Sequence, residues 1–497
     1  MAGTTTPPAT SPTTSTRPRS RCPDDASPHP LPDDESLAEA LDYAGRYLEF
    51  QQRYQRVPGV QVAVFARGGV RLSAAFGLAD TASGTALTTG HLFRIASHSK
   101  TFTATTVLQL VEQGRLRLDD RAAAWIPELD GHPAGDWTVR ELLNHAAGAV
   151  RDGTDGDFWQ LRLPFPDRSG LLDVLRSAGA AVLERNERFK YSNIGFGLLG
   201  MVVEAASGRT FADHVRDDIA GRLGLADLGA ELDPDRAGEY ATGYSALSYA
   251  DHRVAIDHVD TRALAAATGC WATAEALVQY FAAHFHGDER LLTDGSKRLL
   301  HRGWWPVDGE KDARYGLGFS LRAIGDRSLP GHGGGYPGHI TNSVFDPEAG
   351  FAVSVLTNAI DGPAQALATA VVQLMDLAGR EPRPAPDGRL DGFTGRYASL
   401  WGVVDIAVLG GRLYLLPPSA ADPTDHAAPL DVVDDRRLRI AGGSGFGSYG
   451  EELVFDVDAA GSVRSVRAES GMTRWPIDAF PLLDGDRVTV PTQQGAG

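Results

Sequence analysis

The chain predicts an α/β (α+β) domain with an antiparallel sheet and a helical subdomain, followed by a small all-β barrel domain. Three observations predict it. Strand-like segments stand at both ends of residues 36–380 with a long helical middle between them, so the first and last strands must meet in space to make one sheet. A Pro-rich stretch, EPRPAPDG at 381–388, then breaks the pattern. Beyond it come only short alternating segments split by Gly and Asp turns.

Residues 1–35 are rich in Pro, Thr, Ser and Asp, with little to bury, and read as a disordered tail. Leu37, Leu41, Ala44, Leu48 and Tyr54 recur at helical spacing and predict a helix over 36–56. GVQVAVFARGGVRLSAAFGLAD alternates on either side of Arg67-Gly68-Gly69, a hairpin signature. The next helix spans 97–113 and stops at Gly114. Further helices fall at 138–146 with Thr138 as cap, 169–178, 194–206, 210–222 and 273–286. Strands return as RYGLGFSLRAI, HITNSVFD and FAVSVLTN, before a helix over 363–378. Residues 381–390 form a linker, and 391–490 carry VVDIAVL, RLYLLP, RRLRIA, ELVFDVD and VRSVRA, the strands of the β domain.

The length of 497 residues suits two domains, and 42% apolar with 22% charged residues is ordinary for a soluble protein. A net charge of −17 argues against nucleic acid and anionic membrane surfaces as partners. The first residues lack the apolar core of a secretory signal, and no run approaches a membrane span, so the expected location is the cytoplasm. Cys22 and Cys270 offer no zinc spacing and no expected disulfide. His284 and His286 end an apolar helix without a third ligand nearby and read as surface residues. Neither metal nor cofactor is expected.

Three motifs carry chemistry. Ser97-His98-Ser99-Lys100 opens a helix, so Lys100 shares a face with the Ser97 hydroxyl. A serine is a poor nucleophile until a base takes its proton, and a lysine can be that base only when neutral. The chain has four lysines, and only Lys100 has a serine three residues before it. His98 and Ser99 read as incidental. Tyr191-Ser192-Asn193 stands just ahead of a helix, where a phenol can relay a proton and an amide can hold a carbonyl. Gly331-His332-Gly333-Gly334-Gly335 lies near the end of the domain, where glycines on an edge strand let backbone N–H groups approach a ligand closely.

With these residues in this order, the chain resembles the serine β-lactamase and penicillin-binding-protein superfamily, in its class C-like branch of esterases, D-aminopeptidases and transacylases. The matching text is FRIASHSKTFTATTVLQLVEQGRLRLDD, WTVRELLNHAAG, FKYSNIGFGLLGMVVEAASG, ATGCWATAEALVQYF, YGLGFS and GHGGGYPGH, across residues 36–380. The resemblance implies a β-lactamase/transpeptidase-like catalytic domain in which Ser97 is the acylated nucleophile and Lys100 its activating partner. It implies that Tyr191 is base and acid across the two half-reactions, and leaves open which of Lys100 and Tyr191 takes the first proton. Asn193, His332, Gly333, Gly334 and Gly335 would bind substrate, with the N–H groups of Ser97 and Gly335 as oxyanion hole. His332-Gly333-Gly334 replaces the Lys-Thr-Gly usual in β-lactamases and transpeptidases. That departure is similar to D-aminopeptidases, esterases and thioesterase-like cyclases of nonribosomal peptides, and speaks against β-lactam resistance.

The C-terminal domain resembles a lipocalin-like module and is expected to wall one side of the cleft. The expected function is a serine hydrolase of D-aminoacyl peptides, amides or esters, with a small-molecule or peptide substrate. The alternatives are a transacylase or peptide cyclase with an amine acceptor, and a non-catalytic ligand-binding relative. Oligomeric state is open.

Overall fold

The computed structural model describes residues 30–381, 383–384, 388–443, 447–468 and 471–481. Most of the expected 1–35 tail with Cys22, part of the 381–390 linker, and residues 482–490 lie outside them. Asp33 accepts the Ser36 amide and starts α1 (Asp34–Tyr54). Strands β1 (Gly59–Ala66) and β2 (Gly69–Asp80) follow, joined through Arg67 and Gly68, both with positive φ as a tight hairpin turn requires. The other long strands come late: β3 (Ser320–Ile324), β4 (Arg327–Tyr336), β5 (His339–Asp346) and β6 (Phe351–Thr357).

The first and last strands do meet. β1 pairs antiparallel with β6, with Val62 opposite Val355, and the sheet runs β2-β1-β6-β5-β4-β3 with short strands at both edges. Side-chain alternation then sets two cores. Val60, Val62, Val64, Val353 and Val355 face α1 and the helix Ala364–Ala378. Ala63, Ala352 and Leu356 face the helical subdomain, which includes the buried helices Ser99–Glu112 (α2) and Asn193–Ser207 (α3).

Three expected helices differ, that over 273–286 by ending at Ala282. Thr138 and Glu141 form a reciprocal capping box, but the helix stops at Leu143 because His145 turns the chain with φ 59°. Residues 210–222 begin as Phe211–Asp213 and continue as a π-helix over His214–Gly221, a winding in which Arg209 and His214 share Asp218. The surface expectation for His284 fails: its helix ends at Ala282, and His284 is fully buried among the rings of Tyr280, His301 and Phe319. No group of three potential metal ligands occurs among the described residues. No helix among them is long and apolar enough to cross a membrane.

The C-terminal strands, from Gly395–Ser399 to Thr473–Pro476, close an eight-stranded barrel when Ala398 pairs with Trp475. Tyr397, Ile406, Leu413, Leu438 and Phe455 fill its interior. Its outer residues Ala407, Leu409, Tyr414 and Leu416 join the core of α1 and Ala364–Ala378. Tyr43 Oη donates to Asp405 Oδ2 (3.1 Å), Gln51 Nε2 to Pro418 O (2.7 Å) and Tyr47 Oη to Ala420 O (2.9 Å). The domain was expected to wall the cleft; its described residues dock instead on the helices behind the sheet, through this shared apolar core and three polar side chains of α1.

Asp405 is buried and held by Arg396 (2.8 Å) as well as Tyr43. Removing one partner of such a pair costs about 3–5 kcal/mol. Asp405→Ala is expected to lower the unfolding free energy by that order, read by denaturant titration, and to separate barrel unfolding from the main transition, read by calorimetry.

Candidate active site

Ser97 is presented by a strained turn. The chain leaves the short strand Phe93–Arg94, passes through Ala96 with φ 46°, and enters a 3-10 turn, Ala96–His98, that runs into α2. The intervening residues hold this turn, contrary to their reading as incidental. Ser99 Oγ donates to Ala96 O (2.6 Å) and accepts the Cys270 amide (2.9 Å). The buried His98 ring lies 2.9 Å from Ser343 Oγ through Nε2 and 3.1 Å from Ile95 O through Nδ1. Burial lowers its pKa to about 4, so it stays neutral.

Lys100 follows in the first turn of α2 and is fully buried. Its Nζ lies 3.2 Å from Ser97 Oγ and donates to Asn193 Oδ1 (2.7 Å) and Ala267 O (2.9 Å). It sits 4.6 Å from the centre of the Tyr191 ring. Desolvation holds its pKa well below the usual lysine value, opposed by the Asp152 charge and reinforced by Arg151.

Tyr191 Oη donates to Ser97 Oγ at 2.7 Å, and burial raises the phenol's pKa. The segment that carries it is braced by the 145–152 loop. Lys190 N donates to His145 O (2.9 Å), Ser192 N to His145 Nδ1 (3.2 Å) and Asn193 N to Arg151 O (2.9 Å). Ser192 Oγ donates to Val150 O (2.6 Å) and caps α3 by accepting the Gly195 amide (2.9 Å). The His145 ring packs 4.4 Å from that of Tyr191. Ser97, Lys100, Tyr191 and Asn193 are thus brought into one hydrogen-bonded group.

On the opposite side, β4 is interior to the sheet, not an edge strand. Its pairing with β3 ends at Gly331, however, so from His332 to Tyr336 it pairs with β5 alone. His332 is buried, with Nε2 3.0 Å from Tyr315 Oη and Nδ1 2.6 Å from Gly333 O; desolvation holds its pKa well below the histidine value. Gly334 is where the strand meets the Ser97 turn, since a Cβ there would lie 2.2 Å from Ile95 O. At Gly333 and Gly335 the first contacts would be 3.4 and 3.6 Å, with Asn342 and Ile340.

The sequence reading missed Arg151, Asp152, His145, Tyr315 and the Ala267 carbonyl. His145 and Tyr315 lay within matching text, LNHAAG and YGLGFS, but nothing marked Asp152 among the many acidic residues. Chemically, the hydrogen-bond count closes with a neutral amine. Nζ has three oxygen partners, Asn193 Oδ1, Ala267 O and Ser97 Oγ; with the first two taking the N–H groups of a neutral amine, its lone pair is left for the Ser97 hydroxyl, whose oxygen accepts from Tyr191.

A methyl group at 334 forces backbone movement, which costs about 1–3 kcal/mol or more in a packed site. Gly334→Ala is expected to lower the melting temperature by several degrees, whereas Gly333→Ala leaves it nearly unchanged, as read by differential scanning fluorimetry.

A family model described as Beta-lactamase matches residues 46–375. The chain is 29% identical to Penicillin-binding protein 4* of Bacillus subtilis over 288 residues, covering 55% of this chain and 62% of that protein. It is 29% identical to a D-aminopeptidase of Brucella canis over 292 residues, 56% of this chain and 52% of that one. The chain therefore spans between half and two thirds of these curated relatives. Among solved structures, D-amino acid amidase from Ochrobactrum anthropi SV3, complexed with D-phenylalanine, superposes with a TM-score of 0.57 at 26% identity. That match covers 68% of this chain and 99% of the amidase.

Proposed function

Because the chain belongs to the beta-lactamase family, we propose that it is a serine hydrolase of amide or ester bonds working through an acyl-enzyme on Ser97. One observation carries the reading: a single hydroxyl stands 3.2 Å from a buried amine and 2.7 Å from a buried phenol. Desolvation moves the two partners' pKa values in opposite senses, lowering Lys100 and raising Tyr191. Lys100 is therefore the group suited to take the first proton, while Tyr191 stays protonated and is placed by its bond to Ser97 Oγ to hand its proton on.

Ser97 Oγ attacks the acyl carbon as its proton passes to Lys100 Nζ. The oxyanion rests on the backbone N–H groups of Ser97 and Gly335. As the bond to the leaving group breaks, Tyr191 Oη donates its proton to the departing nitrogen or oxygen and is reprotonated from Lys100. Water then attacks the acyl-enzyme in the reverse order of proton transfers, which restores the Ser97 hydroxyl.

Two features support a choice of substrate class. No lysine or threonine stands at His332-Gly333 to clamp a carboxylate, and His332 is neutral and engaged by Tyr315. A relative is a D-aminopeptidase and a structural neighbour a D-amino acid amidase. D-aminoacyl amides, short peptides or esters are accordingly the substrates to test.

Intact-mass analysis after treatment with a fluorophosphonate is expected to show one adduct that disappears in Ser97→Ala. An adduct retained in that variant overturns the reading. On p-nitrophenyl esters and D- and L-aminoacyl amides, Lys100→Ala and Tyr191→Phe should each lower kcat/KM by about 10²–10⁴-fold. Lys100 must be neutral to act, so activity rises with pH through its lowered pKa; in Lys100→Ala that acid limb is lost. Adding an amine acceptor to the same assay separates hydrolysis from acyl transfer.

A further inference from the structure

The orientation of the Asn193 amide decides what Lys100 meets, and an amide by itself has two orientations. A carboxylate has none of this ambiguity, because it only accepts. Asp152 Oδ1 lies 2.7 Å from Asn193 Nδ2, so the NH2 end must face Asp152 and the oxygen must face Lys100. Asp152 is itself fixed from two sides: Trp159 Nε1 donates to the same Oδ1 (2.9 Å), and Arg151 Nε reaches Oδ2 (3.1 Å). Its side chain is 17% exposed.

We infer that Asp152 is a positioning residue for Lys100, acting through the amide of Asn193 and in opposition to Arg151. For its catalytic consequence the inference rests on the acyl-enzyme reading above; the geometry stands apart from it. Lys100 is surrounded by Tyr191 and Asn193 from the α3 side, His145, Arg151 and Asp152 from the loop, and His332 from β4. Burial raises the Tyr191 pKa and lowers those of His145 and His332, so all three rings are neutral near pH 7. Asp152 and Arg151 are thus the charged groups whose fields reach the amine, one favouring the ammonium and the other the free amine. The Arg151 guanidinium lies 5.2 Å from the centre of the Tyr191 ring and is 63% exposed, at the mouth of the site.

Asp152→Asn removes the charge and the acceptor-only character together. The new amide must point its NH2 either at Arg151, donor against donor, or at Asn193, which then turns its own NH2 toward Lys100. With four lysines in the chain, labelling lysine with 15N at Nζ gives few signals, and that of Lys100 is the one lost in Lys100→Arg. Titrating it reads the amine directly. Relative to the native protein, the midpoint should fall by about one unit in Asp152→Asn, a tenfold change in the neutral fraction, and rise by about half a unit in Arg151→Gln.

A merely structural Asp152 would leave the midpoint in place. Midpoints within about 0.2 units of native in the variants overturn the inference. If Asp152→Asn does not fold, Arg151→Gln, altered at an exposed guanidinium, reads the same linkage with the opposite sign. Failure of native protein to form a Ser97 adduct would defeat the acyl-enzyme reading but not this titration. An unshifted Lys100 beside an intact Ser97 adduct would defeat the positioning role alone.

Discussion

The structure depends on keeping one amine dry. Lys100 is fully buried, and an isolated ammonium there would carry a desolvation penalty of several kcal/mol. The site answers this with acceptors from separate parts of the chain: Asn193 at the start of α3 and the Ala267 carbonyl before the strand Cys270–Ala272. α2 is apolar or hydrogen-bonded nearly all round, with Thr103 Oγ1 donating to Ala266 O (2.6 Å), which ties the helix to the segment that supplies the carbonyl.

Around that amine the chain accepts local strain. Ala96 and His145 both have positive φ without being glycine, and both adjoin site residues, one turning Ser97 outward and the other bracing Tyr191. Gly334 allows β4 to press against the backbone before Ser97, a contact no side chain would permit. The nine-stranded sheet supplies the rigid platform for this contact, because β4 is anchored to β5 along the whole site. The barrel plays a different part. Its described residues pack on α1, behind the sheet.

Much of this was legible in the residues. The hairpin at Arg67 and Gly68, the helix after Ser97, the cap at Thr138 and the meeting of distant strands all follow from rules of turn, cap and alternation. The spacing of Ser97 and Lys100 implied their contact because residues three apart on a helix share a face. What escaped depends on tertiary position. Asp152 is one acid among many until folding sets it against Asn193. His284 looked like a helix-end surface residue, yet its burial depends on Phe319 and Phe345, which come from later in the chain. The docking face of the barrel was hidden for the same reason, since the helical spacing of Leu37, Leu41, Ala44 and Leu48 does not mark Tyr43, Tyr47 and Gln51.

The account stands most directly on the Ser97–Lys100–Tyr191 arrangement during turnover. A crystal structure of the protein trapped with an activated D-aminoacyl ester tests it. The account predicts continuous density from Ser97 Oγ to the acyl carbon, the carbonyl oxygen facing the amides of Ser97 and Gly335, and Lys100 Nζ still bonded to Asn193 Oδ1. An unmodified Ser97 with the Lys100 amine turned away from it, or an acyl group carried on another residue, would contradict it.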